Sequence, residues 1–180
     1  MSIPGALTSS NSQMWSTPAF IFNHLKTKYP YDIDLCASNT NKKLDNYLGL
    51  DKEINSLGVE WNKFGIFGFC NPPYGDRQYP VKSWVKKAYE EYDQQGFFSS
   101  LLLPTNKCDQ SWFHKYCLNK SFIEFFEGRI QFVDPLTGEV PLLWSDTQQK
   151  FVKMGNSQGS VLITFNGHIG VDSISLKDII

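Results

Sequence analysis

Four consecutive residues, Asn71-Pro72-Pro73-Tyr74, close the apolar run IFGFC. Asn or Pro can end a strand for ordinary turn reasons. Together they describe a rigid piece of main chain with acceptors at one end and a flat ring at the other. An exocyclic amine on a heteroaromatic ring is a poor nucleophile, because its lone pair is delocalised into the ring. Two acceptors held against its N–H groups would favour the geometry in which that lone pair localises. The Asn71 side-chain carbonyl and the Pro72 backbone carbonyl can supply them. Proline fixes φ near about −65°, which holds the second acceptor in place before a substrate arrives. Pro73 stiffens the same turn, and Tyr74 offers a face on which a base can stack. An activated methyl group as electrophile needs neither metal nor strong base, only proximity and orientation. The alternative is a proline-stiffened turn in which Tyr74 merely caps the core.

A strand end must be positioned by a sheet, and the rest of the chain supplies one. At 180 residues, 41% of them hydrophobic and 15% aromatic, the chain is long and apolar enough for one well-filled domain. TPAFIFNHLKTKY reads as a short amphipathic helix, with Thr17 as N-cap and Pro18 at the first helical position. YDIDLCAS suits a buried strand ending near Ala37, and NYLGLD a second short strand ending near Asp51. GIFGFC is the third strand. VKSWVKKAYEEYDQQ is a helix with Val81, Trp84, Val85 and Ala88 on one face, stopped by Gly96. FFSSLLLP is a buried strand and DQSWFHKYCL a helix. SFIEFFEGRIQFV and GSVLITFNG read as late strands, with a polar segment, 134–158, between them. This order predicts a doubly wound α/β fold, mostly parallel, with an antiparallel hairpin at one edge. Ligands of such sheets sit beyond the carboxyl ends of the strands. DLCAS, NPPYG and LLLPTN would therefore converge there. Asp51, at another strand end, is a candidate acceptor for ribose hydroxyls, or a solvated loop carboxylate.

Composition narrows the classes further. The formal net charge is −1, so no global basic field advertises a polyanion partner and any such contact must be local. The cysteines, Cys36, Cys70, Cys108 and Cys117, and the histidines, His24, His114 and His168, have no zinc-ligand spacing. Reduced thiols point to the cytoplasm. The N-terminus lacks the pattern of a signal peptide, and no apolar stretch has the length of a membrane span, so a flexible segment over 1–14 is expected before one domain over 15–180.

NPPYG resembles motif IV, (D/N/S)PP(Y/F/W), of amino-methyltransferases that use S-adenosylmethionine. The longer run of DLCAS, FCNPPYG, LLLP, WFH and GRIQF is similar to the small phage and prophage DNA N6-adenine methyltransferases, the Dam-like family. The likeness spans Trp15 to Gly167. It implies a Rossmann-like methyltransferase fold and methyl transfer from S-adenosyl-L-methionine to adenine N6 in double-stranded DNA. It also implies roles. DLCAS matches motif I, which puts Asp34, Cys36 and Ala37 near the methionine part of the cofactor, although a glycine-rich FxGxG loop is absent. WSTP matches motif X, which puts Trp15, Thr17 and Pro18 at the cofactor, with the Thr17 hydroxyl at its carboxylate. A plain N-cap threonine is the alternative. Asn71 would face both cofactor and base.

Methylating a base within a duplex requires its extrusion into a pocket. Tyr74 is the first stacking surface. Phe132, in GRIQF, is a candidate second face or a core residue, and Arg129 a phosphate or base contact or half of an ion pair. Arg77, Lys82, Lys86 and Lys87 form the most basic local stretch, and Lys107 lies on another strand-end loop; these are DNA contacts or a solvated face. Segment 134–158, with Trp144, Gln148, Gln149 and Lys150, is where target recognition would fit. NPPY itself is shared with protein-glutamine and ribosomal-RNA methyltransferases, so an RNA base or a protein amide is an alternative acceptor, as is cytosine N4, whose enzymes more often have Ser where Asn71 stands. An inactive DNA-binding relative is the other alternative.

Overall fold

The computed structural model describes residues 15–153 and 156–179, so the expectation for residues 1–14 lies outside the described residues. The chain order is α1 (Ala19–Lys28), β1 (Ile33–Asp34), β2 (Phe67–Cys70), α2 (Val81–Gln95), β3 (Phe98–Pro104), α3 (Ser111–Tyr116), β4 (Phe122–Glu127), β5 (Leu142–Ser145), β6 (Lys150–Lys153), β7 (Ser160–Phe165) and β8 (Gly170–Ser175). Six strands form one sheet in the order β1-β2-β3-β7-β4-β8, and β5 pairs with β6 as a separate antiparallel hairpin. The β1–β2, β2–β3 and β4–β8 pairings are parallel, while β7 runs antiparallel to both of its neighbours. This is the mostly parallel α/β sheet that the sequence predicts.

Strand β3 shows how the layers form. Successive side chains on a strand face opposite sides. Leu101 and Leu103 pack with Val85, Ala88 and Phe113 of α2 and α3, whereas Leu102 packs with Ile21, Phe22 and Leu25 of α1. Strands β2 and β7 are buried along their whole length, which accounts for their largely apolar sequences. Helix α2 stops at Gly96, whose φ of 65° lies in the left-handed region that glycine adopts without strain.

Four expectations change in detail. The predicted second strand shrinks to a single bridge, Tyr47 to Asp34, after which Leu50–Lys52 turns as a 3₁₀ helix and carries Asp51. Helix α1 begins at Ala19 with Pro18 as its N-cap, so the Thr17 hydroxyl is free for other work. The strand expected to run through GRIQF ends at Glu127, because Gly128 takes φ 103° and turns the chain into a loop. A Cβ at that position would also meet the Leu176 side chain at 3.1 Å. Finally, the two late strands do not make the hairpin. GSVLITF becomes β7 in the sheet interior, and the hairpin forms from β5 and β6 within 134–158.

One buried charge sits under α1. Glu124 of β4 is 0% exposed, with its two oxygens on Lys28 Nζ and the Tyr29 hydroxyl. Burial and the carboxylate together raise the Tyr29 pKa, keeping the hydroxyl a donor. Glu124→Ala would leave that buried hydroxyl unpaired, while the half-exposed Lys28 can turn to water. The expected loss is about 1–3 kcal/mol of stability, read as a lower urea midpoint.

Candidate active site

Residues Trp15–Thr17 enter the structure as a strap across the carboxyl ends of the strands. Ser16 and Val133 exchange both backbone hydrogen bonds, at 2.8 and 3.0 Å, and the Ser16 hydroxyl donates to the Asn41 carbonyl at 3.3 Å. The strap thereby ties the loop after β1 to the loop that carries Phe132. These segments are far apart in sequence, and Asn71 lies where they meet.

Thr17 is 1% exposed, and its Oγ1 accepts a 3.1 Å hydrogen bond from Asn71 Nδ2. That bond turns the other side of the amide, Oδ1, away from Thr17. Among the described residues, neither Asn71 Oδ1 nor the Pro72 carbonyl accepts a hydrogen bond. Two acceptors on adjacent residues at the end of β2 thus have no donor among the described residues.

Two clefts meet there. The larger, of about 310 Å³, has apolar walls from Leu35, Leu48 and Trp84 and polar ones from Ser38, Asp51 and Asn71. Cys36 and Ala37 line it as well. The smaller, of about 140 Å³, is formed by Pro72, Pro73, Tyr74, Phe132 and Asn156. Trp15, Asn71 and Pro73 belong to both. Two buried polar atoms have no hydrogen-bond partner among the described residues and belong to residues lining the larger cleft, Trp15 Nε1 and Ser56 Oγ. Buried polar atoms are nearly always paired, so each is suited to a ligand's polar group.

The smaller cleft is a corner rather than a slot. The Tyr74 and Phe132 rings stand edge to face, with centroids 6.0 Å apart and planes at 76°. Phe132 is therefore not the opposite plate of a sandwich; it walls the pocket in which a ring can lie against Tyr74. The Tyr74 hydroxyl donates to the Leu102 carbonyl of β3 at 2.9 Å, and burial raises its pKa so that it remains a donor.

The motif I residues divide. Cys36 and Ala37 reach the larger cleft, but Asp34, 3% exposed, is turned under the loop. Its carboxylate accepts from Lys43 N at 2.9 Å and from Cys36 N at 3.3 Å, so it braces the cleft wall. Gly49 belongs to the same brace, since a Cβ there would fall 2.1 Å from the Ala37 carbonyl oxygen. Asp51 is exposed and lines the larger cleft, with Oδ2 held by Asn39 N at 2.7 Å and the Tyr47 hydroxyl at 3.1 Å, and Oδ1 has no donor among the described residues. Thr17 and Pro18 do not line the larger cleft. Arg77, Lys82 and Arg129 are exposed, and Lys107 is half-buried on the turn after β3. Tyr79, Ser56 and Asn156 line the clefts although no motif singles them out; Tyr79 and Asn156 come from loops and Ser56 from a short 3₁₀ turn, none with a local signature.

Burial raises the Asp34 carboxyl pKa from 3.8 to about 6. The folded protein therefore holds this proton more tightly than the unfolded chain does. Its contribution is fully present below about pH 4 and is lost as pH rises through about 6. A shift of about two units corresponds to about 3 kcal/mol. Measured against Asp34→Asn, which has no such titration, the wild type should lose up to that amount of relative stability between pH 4 and pH 7. Parallel urea midpoints across this range for the two proteins would contradict the assignment.

A mostly parallel α/β sheet with an NPPY strand end beside two joined clefts agrees with the amino-methyltransferase resemblance carried by the sequence. A family model described as DNA N-6-adenine-methyltransferase (Dam) matches residues 5–177, so the chain belongs to that family and is a DNA adenine methyltransferase. It is also similar to the DNA N-6-adenine-methyltransferase of Haemophilus phage HP1 (strain HP1c1), with 27% identity over 133 residues, which is 72% of each chain. No helix among the described residues is long and apolar enough to cross a membrane.

Proposed function

We propose that this chain methylates adenine N6 in double-stranded DNA, using S-adenosyl-L-methionine bound in the larger cleft and a target base extruded into the smaller one. The observation that carries the reading is the shared wall. Asn71 borders both clefts with its amide already oriented by Thr17. The residues fit the cofactor. The larger cleft has the size of a small-ligand pocket, apolar walls, an acidic acceptor in Asp51 and polar atoms on Trp15 and Ser56 that have no partner among the described residues.

When bound, the cofactor would supply an activated methyl group, with a neutral thioether as the leaving group. Asn71 Oδ1 and the Pro72 carbonyl accept the two N6 hydrogens and localise the nitrogen lone pair toward the larger cleft. The proton displaced from N6 passes to water, since the site offers no strong base. Tyr74 stacks the base, Phe132 closes one side of the corner, and Trp15 separates the clefts from solvent. Asp34 holds the loop that carries Cys36 and Ala37.

Residues 15–180 act in this scheme as one methyltransferase unit, with 134–158 as its target-recognition element. The β5–β6 hairpin in that segment carries exposed Trp144 and Phe151, packed edge to face with centroids 5.2 Å apart, together with Lys150 and Lys153. It joins the smaller cleft through Asn156, whose backbone N–H donates to Gln131 Oε1 at 2.9 Å. Arg77, Lys107 and Arg129 surround the same end of the sheet and would hold the DNA backbone in the cytoplasm of a phage-bearing cell.

Labelled methyl transfer to unmethylated duplex DNA, heat-denatured DNA and RNA tests the acceptor. The expected product is N6-methyladenine in the duplex sample. Label confined to RNA, or recovered as N4-methylcytosine, would overturn the reading.

A further inference from the structure

A further cleft-like feature lies on the far flank of α2. It is a groove of about 320 Å³ between α2 and α3, formed by Lys82, Ser83 and Lys86 on one side and Trp112, Lys115 and Tyr116 on the other. Residues two apart on a helix are turned by roughly 200°. Trp84 faces the larger cleft, so Lys82 and Lys86 face away from it, and the groove is separate from the active site. Lys82 and Lys115 have no carboxylate within salt-bridge distance among the described residues, and Lys86 meets Glu90 at 3.1 Å. Lys120 adds a fourth cation at the groove's end, its Nζ 4.9 Å from the Tyr89 ring, which packs on Tyr116 at 5.5 Å. In a chain of net charge −1, this concentration of lysines over half-exposed Trp and Tyr rings is a strong local departure.

Cations spaced along a groove complement a polyanion, and the aromatic walls suit sugars or bases beside the phosphates. Both helices follow strand ends on the active-site side of the sheet, α2 after the NPPY loop and α3 after β3. We propose that the α2–α3 groove is a second DNA-binding surface, taking the phosphodiester backbone of the strand that flanks the target base. This inference rests on duplex DNA being the substrate. The groove fixes the enzyme's register on the DNA without reading its sequence.

The test is the salt dependence of duplex binding for wild type and for a Lys82→Gln/Lys86→Gln/Lys115→Gln variant. All three side chains are on the surface, and an unchanged melting temperature would show that the variant folds. Each lost phosphate contact lowers the slope of log affinity against log salt by about 0.9, so a decrease of about 2 to 3 is expected. The variant's residual product, assayed at low salt, should still be N6-methyladenine. Equal slopes, with the wild type methylating the duplex, would overturn the groove alone. Competition for these lysines by inorganic phosphate or a mononucleotide but not by duplex DNA would overturn it as well. A wild type that neither binds nor methylates duplex DNA would overturn the parent reading, and this inference with it.

Discussion

Replacing Asn71 by Ala should lower kcat for methyl transfer by about 10²–10³-fold, with cofactor affinity changed little. That magnitude is what the loss of one preoriented hydrogen-bonding group at a reacting centre costs in other enzymes. Orientation is the reason. Asn71 Nδ2 is committed to Thr17 Oγ1 at 3.1 Å, which points the carbonyl end of the amide away from the Thr17 hydroxyl and leaves it without a donor among the described residues. Alanine removes that acceptor but leaves Pro72 in place, so one of the two N6 hydrogens loses its partner. Most of the larger cleft is contributed by Leu35, Leu48, Trp84 and other residues that the change does not touch. Single-turnover rates from enzyme saturated with both substrates, alongside equilibrium cofactor titration, separate the two effects. Equal losses in cofactor affinity and in rate would show that Asn71 only builds the cleft.

Tyr74→Ala should reduce transfer to duplex DNA by about 5- to 150-fold. A stacked base is worth about 1–3 kcal/mol, and the ring is the floor of the smaller cleft. The companion Tyr74→Phe keeps the ring and removes the hydroxyl that donates to the Leu102 carbonyl. It should retain most of the activity and lose about 1 kcal/mol of stability. Steady-state assays on duplex substrate, paired with urea unfolding, check both. If Phe and Ala are equally impaired, the hydroxyl rather than the ring carries the function.

Much of this site is legible in the sequence because its central piece is local. NPPY follows a fully buried strand, and an ordinary turn seldom joins an unbroken apolar run to two prolines framed by Asn and Tyr. Helix α2 and its glycine stop are legible for the same reason, since periodicity and C-capping are written within one segment. The strap is not. Thr17 has the pattern of an N-cap because the residue after it is proline, yet its hydroxyl serves a side chain 54 positions away. Resemblance places Asp34 near the methionine part of the cofactor; that its carboxylate also holds two backbone amides of the neighbouring loop is written in no local pattern. The loop carrying Phe132 has the apolar alternation of a strand; only the backbone turn at Gly128 shows otherwise. Strand β8 leaves little trace in the sequence, since Ile174 is its one buried apolar side chain. The small tyrosine–phenylalanine corner depends on two such loops meeting, which no local pattern encodes.

The shared wall is the central claim, and a single-turnover experiment addresses it most directly. Enzyme preloaded with labelled S-adenosylmethionine is mixed with unmethylated duplex DNA, and the nucleosides are separated after digestion. The wild type should place its label in N6-methyladenine, while Asn71→Ala, still loaded with cofactor and still bound to DNA, should place almost none. Equal yields of N6-methyladenine from the two proteins would contradict the account.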